Sequence, residues 1–474
     1  MSALVGYGTY LPYWRLDAAS IREVLGSSGG KGTRAVAAYD EDATTMGVEA
    51  ARDALAHAPE GFVPEALYFV TTSPAYVDKT NAAAIHAALG LPQHVPAYDF
   101  GGATRSISGV MDLVQASSLP ALVVASELRT GLPGSADEAT GGDGAACFLF
   151  GESNEALVEV LASASATEEF LDRWRVPGQD ASRLWEDRFG ESAYQPLGRA
   201  AFTDALKKAG LSVADVDHLV VTGLHTRAVR AFTKWSGVRP EARSDDLVPR
   251  IGNTGSAAPG ISLAHILDTA EPGAVIVSVA LADGADVVVM RATEQAVSAR
   301  AQHRRTVRQL IDGEHGQLNY GSFLTWRGRL DREPPRRPNP PSPAAGPSLR
   351  RRDWKFGLTA SRCENCDTRH LPAARVCVQC RTSDRMLAER VAEERATVAT
   401  YTVDRLAFSP SPPLIAAMID FDGGGRAGVE ITDAGPDDIA IGTRLEMTFR
   451  RLYTAENGVH NYFWKARPIR EAGE

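Results

Sequence analysis

The sequence predicts an α/β protein built from two similar halves, followed by a metal-bearing ribbon and a small β-barrel. Three observations carry that expectation. Strand-like and helix-like stretches alternate over residues 3–293, as a layered α/β domain requires. Their order repeats: AARDALAHAPEGFVPEALYFVTTSP runs helix, loop, strand, and DALKKAGLSVADVDHLVVTGLHT does the same further on. Four of the five cysteines then fall between positions 363 and 380, and several short strand-like runs follow them.

Each part can be bounded from its pattern. Later in each half comes a pair of apolar strands, PALVVAS with AACFLFG and GAVIVSVA with ADVVVMRA. The two halves are expected at 1–165 and 166–294. Residues 295–353 form a connecting arm ending in EPPRRPNPPSPAAGPS, whose seven prolines make it an extended linker or strap. The ribbon is expected at 354–386 and the barrel at 387–474, where TVATYTV, LIAAMIDF, RAGVEIT, RLEMTFRR and HNYFWKARP are separated by turn residues.

Composition narrows the classes of function. Hydrophobic residues make up 44% and charged residues 23%, the balance of a globular chain, with a net charge of −9. That charge gives no general reason to expect a nucleic-acid partner, and Arg350–Arg352, Arg369 and Arg375 do not amount to a dense basic surface. The start, MSALVGYGTYLPYWRL, lacks a basic-then-apolar signal, and no run is long enough to span a membrane. A cytoplasmic location is the expectation.

The segment SRCENCDTRHLPAARVCVQC places Cys363, Cys366, Cys377 and Cys380 as two C-x2-C knuckles. Four thiolates in that spacing suit one tetrahedral Zn²⁺ in a closed, structural site. His370 lies between the knuckles as a spare, non-ligating residue.

Four stretches of the first 293 residues resemble hydroxymethylglutaryl-CoA synthases, members of the thiolase superfamily. They are VGYGTYLPYWRL, YDEDATTMGVEAARDAL, VVTGLHT and RIGNTGSAAPGISL, the last similar also to 3-oxoacyl-ACP synthase III. The resemblance implies a duplicated five-layer thiolase fold acting on an acyl-CoA. It also implies a general acid/base at Glu41, an active-site histidine at His225 and an asparagine at Asn253. Those residue types suit such chemistry, since histidine and asparagine aim donors at a developing enolate oxygen and a buried glutamate moves a proton. Each also has an ordinary reading. Glu41 is favourable ahead of a helix, His225 can be a strand-end residue, and Asn253 can start a helix.

One feature breaks the pattern. The superfamily carries a cysteine at the start of a buried helix, where its thiol becomes an acyl acceptor. Here VPAYDFGGATRSISGVMDL places Thr104 there, or Ala103 or Arg105 with a shift of one. Cys147 lies in the apolar run AACFLFG, where a thiol is inert. The resemblance then implies a lyase or aldolase, making or cleaving a C–C bond beside a CoA thioester without an acyl-cysteine. The alternatives are acylation of Thr104 with His225 as base, or a non-catalytic CoA-binding subunit supporting a partner enzyme. The glycine pair Gly101 and Gly102 leaves room for a substrate group.

Residues 350–470, with WKFGLTASRCENC and YTVDRL, resemble the zinc-ribbon and OB-fold domain that accompanies thiolases and hydroxymethylglutaryl-CoA synthases. That resemblance implies help in binding or handing over the CoA thioester. A partner enzyme of the same pathway type is a further expectation of it, and the thiolase resemblance of the first 293 residues implies a homodimer.

Overall fold

The computed structural model describes residues 2–26, 29–302, 305–333 and 340–470, so the centre of the proline-rich stretch lies outside the described residues. The apolar runs read from sequence form two sheets. The first has the spatial order Ala3–Tyr10, Gly144–Gly151, Ala121–Glu127, Ala66–Thr71, Ala97–Gly101. Its last three strands are parallel, and the others pair antiparallel. The second sheet runs His218–Gly223, Val275–Leu281, Ala285–Ala292, Val158–Ala166, with only the first pair parallel.

Helices fill three layers around these sheets. Ser106–Ala116 and Ala258–Leu267 lie between them, Ala43–Ala56 covers the first sheet, and Asp187–Ala209 with Thr226–Trp235 covers the second. The helix Ala43–Ala56 is buried on nearly every side, because its small residues admit close neighbours on both faces. Gly47 makes this concrete: a Cβ there would stand 3.1–3.4 Å from Val124, Ile85 and Phe69. Asp42 caps the helix, accepting from the Thr45 N–H while Thr45 Oγ1 accepts from the Asp42 N–H.

The outer face of that helix receives the C-terminal barrel. Strands Arg395–Asp404, Leu414–Phe421, Arg426–Ile431, His460–Pro468 and Arg444–Thr454 close in that order. Their interior residues Val398, Ile419, Phe449 and Trp464 join one continuous core with Met46, Ala50 and Phe69. The barrel is therefore packed onto the first half, and not merely tethered to it. The ribbon precedes it as strands Thr359–Cys363, Arg369–His370 and Met386–Arg390.

The connecting arm also joins the fold. Its short strand Gly316–Gln317 pairs with Trp14–Asp17, and Tyr320 on helix Tyr320–Trp326 donates to Glu138. Among the described residues no helix is long and apolar enough to cross a membrane.

Candidate functional site

Parallel strands deliver their C-terminal ends to one edge, which is where α/β sheets bind ligands. In the first sheet that edge carries Thr72 and Ser73, the turn Gly101–Arg105, and Glu127. In the second it carries Gly223–His225 and Asp283. Arg105 ties the two edges together, with a bidentate pair to Asp286 at 2.9 Å and a bond to the Asp283 carbonyl at 2.8 Å.

Asn253 sits where the halves meet. Its Nδ2 donates to the Gly223 carbonyl at 2.8 Å, and its Oδ1 accepts from the Gly255 N–H at 3.0 Å. The backbone is drawn just as tightly, with the Asn253 N–H bonded to Thr140 O and the Gly142 N–H to Asn253 O. Gly252 permits this: its φ is +78°, and a Cβ would meet the Gly141 carbonyl at 2.3 Å. A cleft of about 270 Å³ opens here, lined by Thr222, Gly223 and Asn253, with Arg230, Lys234 and Arg243 also on its walls.

His225 stands between strand His218–Gly223 and the next helix. It caps helix Thr226–Trp235, its Nδ1 accepting from the Ala228 N–H at 3.1 Å. That bond fixes the tautomer with the proton on Nε2. Nε2 is itself buried without a hydrogen-bond partner among the described residues. The ring lies under Gly190, where a Cβ would stand 2.6 Å from Nε2. His225 is thus a donor covered by helix Asp187–Ala209, and its only basic nitrogen is spent on the backbone.

Thr104 is half-buried in the turn before helix Ser106–Ala116, and its neighbour Arg105 is held by Asp286. Gly102 has a φ of +95° with open space where a side chain would project, while Gly101 lies against the Thr71 carbonyl. Cys147 is sealed in the first sheet, and burial pushes its thiol far above the usual range.

Glu41 is brought neither to Asn253 nor to His225. It is 1% exposed beneath the barrel, with Oε1 bonded to the Tyr10 hydroxyl at 2.5 Å and to Arg450 at 3.0 Å. Oε2 accepts from the Ala38 N–H. Arg450 also pairs with Asp40 and Asp433, while Lys465 pairs with Asp40 at 2.9 Å. Asp42 accepts from the Tyr462 hydroxyl, and Glu49 pairs with Arg467. The segment Tyr39–Asp42 is therefore the fastening point of the barrel, a structural role beside the proton shuttle that the resemblance implies for Glu41. The family-like motif and the docking site are the same residues, and only contacts from residues 430–467 reveal the second role.

The electrostatics carry a test. Burial pushes the Glu41 carboxyl up to about 7, against the opposing pull of Arg450, while Asp433 and Asp40 add to the rise. Burial would raise Asp40 too, but Lys465 and Arg450 hold it down at about 2. Between its ordinary value of 4.5 and about 7, Glu41 is protonated in the folded state and ionised in the unfolded one. Its stability contribution is thus fully present below 4.5 and lost as pH rises through 7. Glu41→Gln should gain on the parent as pH rises, by roughly 2–3 kcal/mol on the alkaline side. Denaturant titrations across pH check this, and a flat difference would sink it.

Glu127 is a candidate that no sequence motif announced. This carboxylate is fully buried and accepts from Thr72 Oγ1 at 2.8 Å, Ser73 Oγ at 2.7 Å and Ser256 Oγ at 2.9 Å. Gly255, at a φ of +57°, lies against it, since a Cβ there would meet Glu127 Cγ at 2.8 Å. Glu127 thereby braces the loop whose Gly255 N–H orients Asn253. Its position after an apolar strand was the available signal.

The four ribbon sulfurs converge within 4.8 Å of one another. Their spacing is compatible with one tetrahedral Zn²⁺ bound at about 2.3 Å per sulfur. His370 is outside this set and faces the Cys377 sulfur. The nearby arginines are neutralised: Arg369 is buried against Glu389 and Glu394, and Arg375 pairs with Asp384.

Five layers, two related sheets and an asparagine loop at their junction define a thiolase-like protein with an OB-like barrel. Residues 206–290 match the family described as 3-Oxoacyl-[acyl-carrier-protein (ACP)] synthase III C terminal. Residues 389–450 match that described as ChsH2, C-terminal OB-fold domain. The chain belongs to the hydroxymethylglutaryl-CoA synthase family. It is 32% identical over 308 residues to the synthase of Pyrococcus furiosus, covering 62% of this chain and 87% of the relative. With the synthase of Methanothermobacter thermautotrophicus it shares 29% over 346 residues, 70% and 99% of the two chains. Among solved structures, an HMG-CoA synthase complexed with CoA superposes with a TM-score of 0.59 at 14% identity, covering 70% of this chain and 91% of that one. The 3-oxoacyl-ACP synthase III of Aquifex aeolicus gives 0.54 at 19%, covering 61% and 100%. At those identities the structural likenesses bear on the fold alone.

Proposed function

We propose that this protein makes or cleaves a C–C bond beside a CoA thioester without forming an acyl-enzyme. One observation carries the reading: no thiol stands at the helix start, and His225 has no free basic nitrogen with which to activate Thr104. What His225 and Asn253 retain is N–H donors, which suit an enolate oxygen. Glu127, with its three hydroxyl partners against the Asn253 loop, takes over the proton-handling role expected of Glu41. The cations Arg230, Lys234 and Arg243 on the Asn253 cleft suit the phosphates of CoA. Zn²⁺ on the four cysteines supplies structure only. A homodimer fits the unpaired outer edge of strand Ala97–Gly101, where Tyr98 stands 53% exposed.

The test is turnover and CoA-thioester binding in single variants. Asn253→Ala should lower the rate by about 100-fold or more, the scale of losing an oxyanion donor. Thr104→Ala should retain activity, and mass spectrometry should find no acyl adduct. An adduct on Thr104 would replace this reading with an acyltransferase. Binding of CoA with no C–C turnover in the parent would replace it with a carrier subunit.

A further inference from the structure

A cleft between the two halves has no assigned role. Its volume is about 510 Å³, within the roughly 300–1,000 Å³ that accommodates small-molecule ligands. It runs along helix Ser106–Ala116 from Ile107 and Met111, with Phe148 and Phe150 on one side and Val288 and Met290 on the other. It opens to solvent past the exposed Asp112, Asn154 and Glu159, while most of its wall is apolar, which favours a hydrocarbon occupant inside and a polar group at the mouth.

Its position says which occupant. One end reaches Ile107, three residues beyond Thr104, and the lining includes Asp286, the partner of Arg105. The cleft therefore adjoins the turn where the superfamily holds the reacting acyl group. Helix Ala258–Leu267 separates it from the cation-lined cleft at Asn253. Pro259 and Leu263 face the apolar cleft, while Ala258, Ile261, Ser262 and His265 line the other.

We infer that this cleft is an acyl pocket, and that the substrate is the CoA thioester of a long or bulky hydrophobic acid. The inference rests on the CoA-thioester reading above and adds the class of acyl group. Burying each methylene contributes about 0.8 kcal/mol, a factor of about four in affinity.

Calorimetric titration of the full chain with CoA, acetyl-CoA, octanoyl-CoA and dodecanoyl-CoA tests it. Affinity should climb by at least a hundredfold from acetyl- to dodecanoyl-CoA, and the climb should flatten in Ala280→Phe, which projects a ring into the cleft. Ser278→Leu serves the same purpose should Ala280→Phe not fold, as judged by circular dichroism. Equal affinity for acetyl- and dodecanoyl-CoA in the parent overturns the acyl pocket and leaves CoA binding standing. A steep climb that persists in the filled variant overturns the assignment to this cleft. If no CoA species binds, both readings fall.

Discussion

Replacing Arg450 by leucine is expected to lower the unfolding free energy by about 3–5 kcal/mol, the scale of removing one partner from a buried ionic cluster. The guanidinium is fully buried between Asp40, Glu41 and Asp433, with the Tyr10 hydroxyl at 3.2 Å. Without it, Lys465 still serves Asp40, but Glu41 and Asp433 lose their main compensating charge. The Glu41 carboxyl should then resist ionisation more strongly, so the loss should be greatest at alkaline pH. The variant should also free the barrel from helix Ala43–Ala56. Denaturant melts and limited proteolysis check this, and adding Glu41→Gln should recover part of the loss. If Arg450→Leu matches the parent at every pH, the barrel is held by apolar packing alone.

Stripping the metal should have a comparable or larger effect, confined at first to the ribbon. Zinc bound by cysteines in small domains contributes on the order of 10 kcal/mol of folding free energy. Residues 359–390 offer a short three-stranded sheet and few apolar residues, so little else holds the knuckles. We expect one zinc per chain by elemental analysis and its release by a strong chelator. Cys377→Ser, which removes a fully buried ligand, should abolish both binding and protection of the ribbon from protease. Arg369 links ribbon to barrel through Glu394 and the carbonyls of Asp422 and Gly424, so the barrel should loosen next. A purified chain free of zinc with an unchanged melt would refute the metal assignment.

How much of this was legible in the sequence depended on whether the signal was local. The strands ALYFV, HLVV, LIAAMIDF and HNYFWKARP declared themselves because burial of a sheet demands apolar runs or alternation. The C-x2-C pairs declared the convergence of four thiols because metal ligation fixes such spacing. Asn253 was legible through its glycines, which the chain needs to bring two backbones together. The motif around Glu41 was silent on the barrel because acid-rich residues before a helix have the same appearance whether they face a substrate or a neighbouring barrel. Arg450 lies more than 400 residues from Asp40 and Glu41, and no local pattern announces such a partner.

By itself, the sequence determined the layered fold, the ribbon, the barrel and the missing cysteine, because periodicity, ligand spacing and residue identity are local properties. Tertiary structure alone decided three matters. It turned Glu41 into a fastening for the barrel, through Arg450 and Tyr10. It committed the Nδ1 of His225 to a helix cap and covered Nε2 with Gly190. It also placed Glu127 behind the Asn253 loop. The physical reason is common to all three: the protonation and reach of a side chain are set by groups packed around it in space. Those groups come from strands and helices that the chain brings together only on folding.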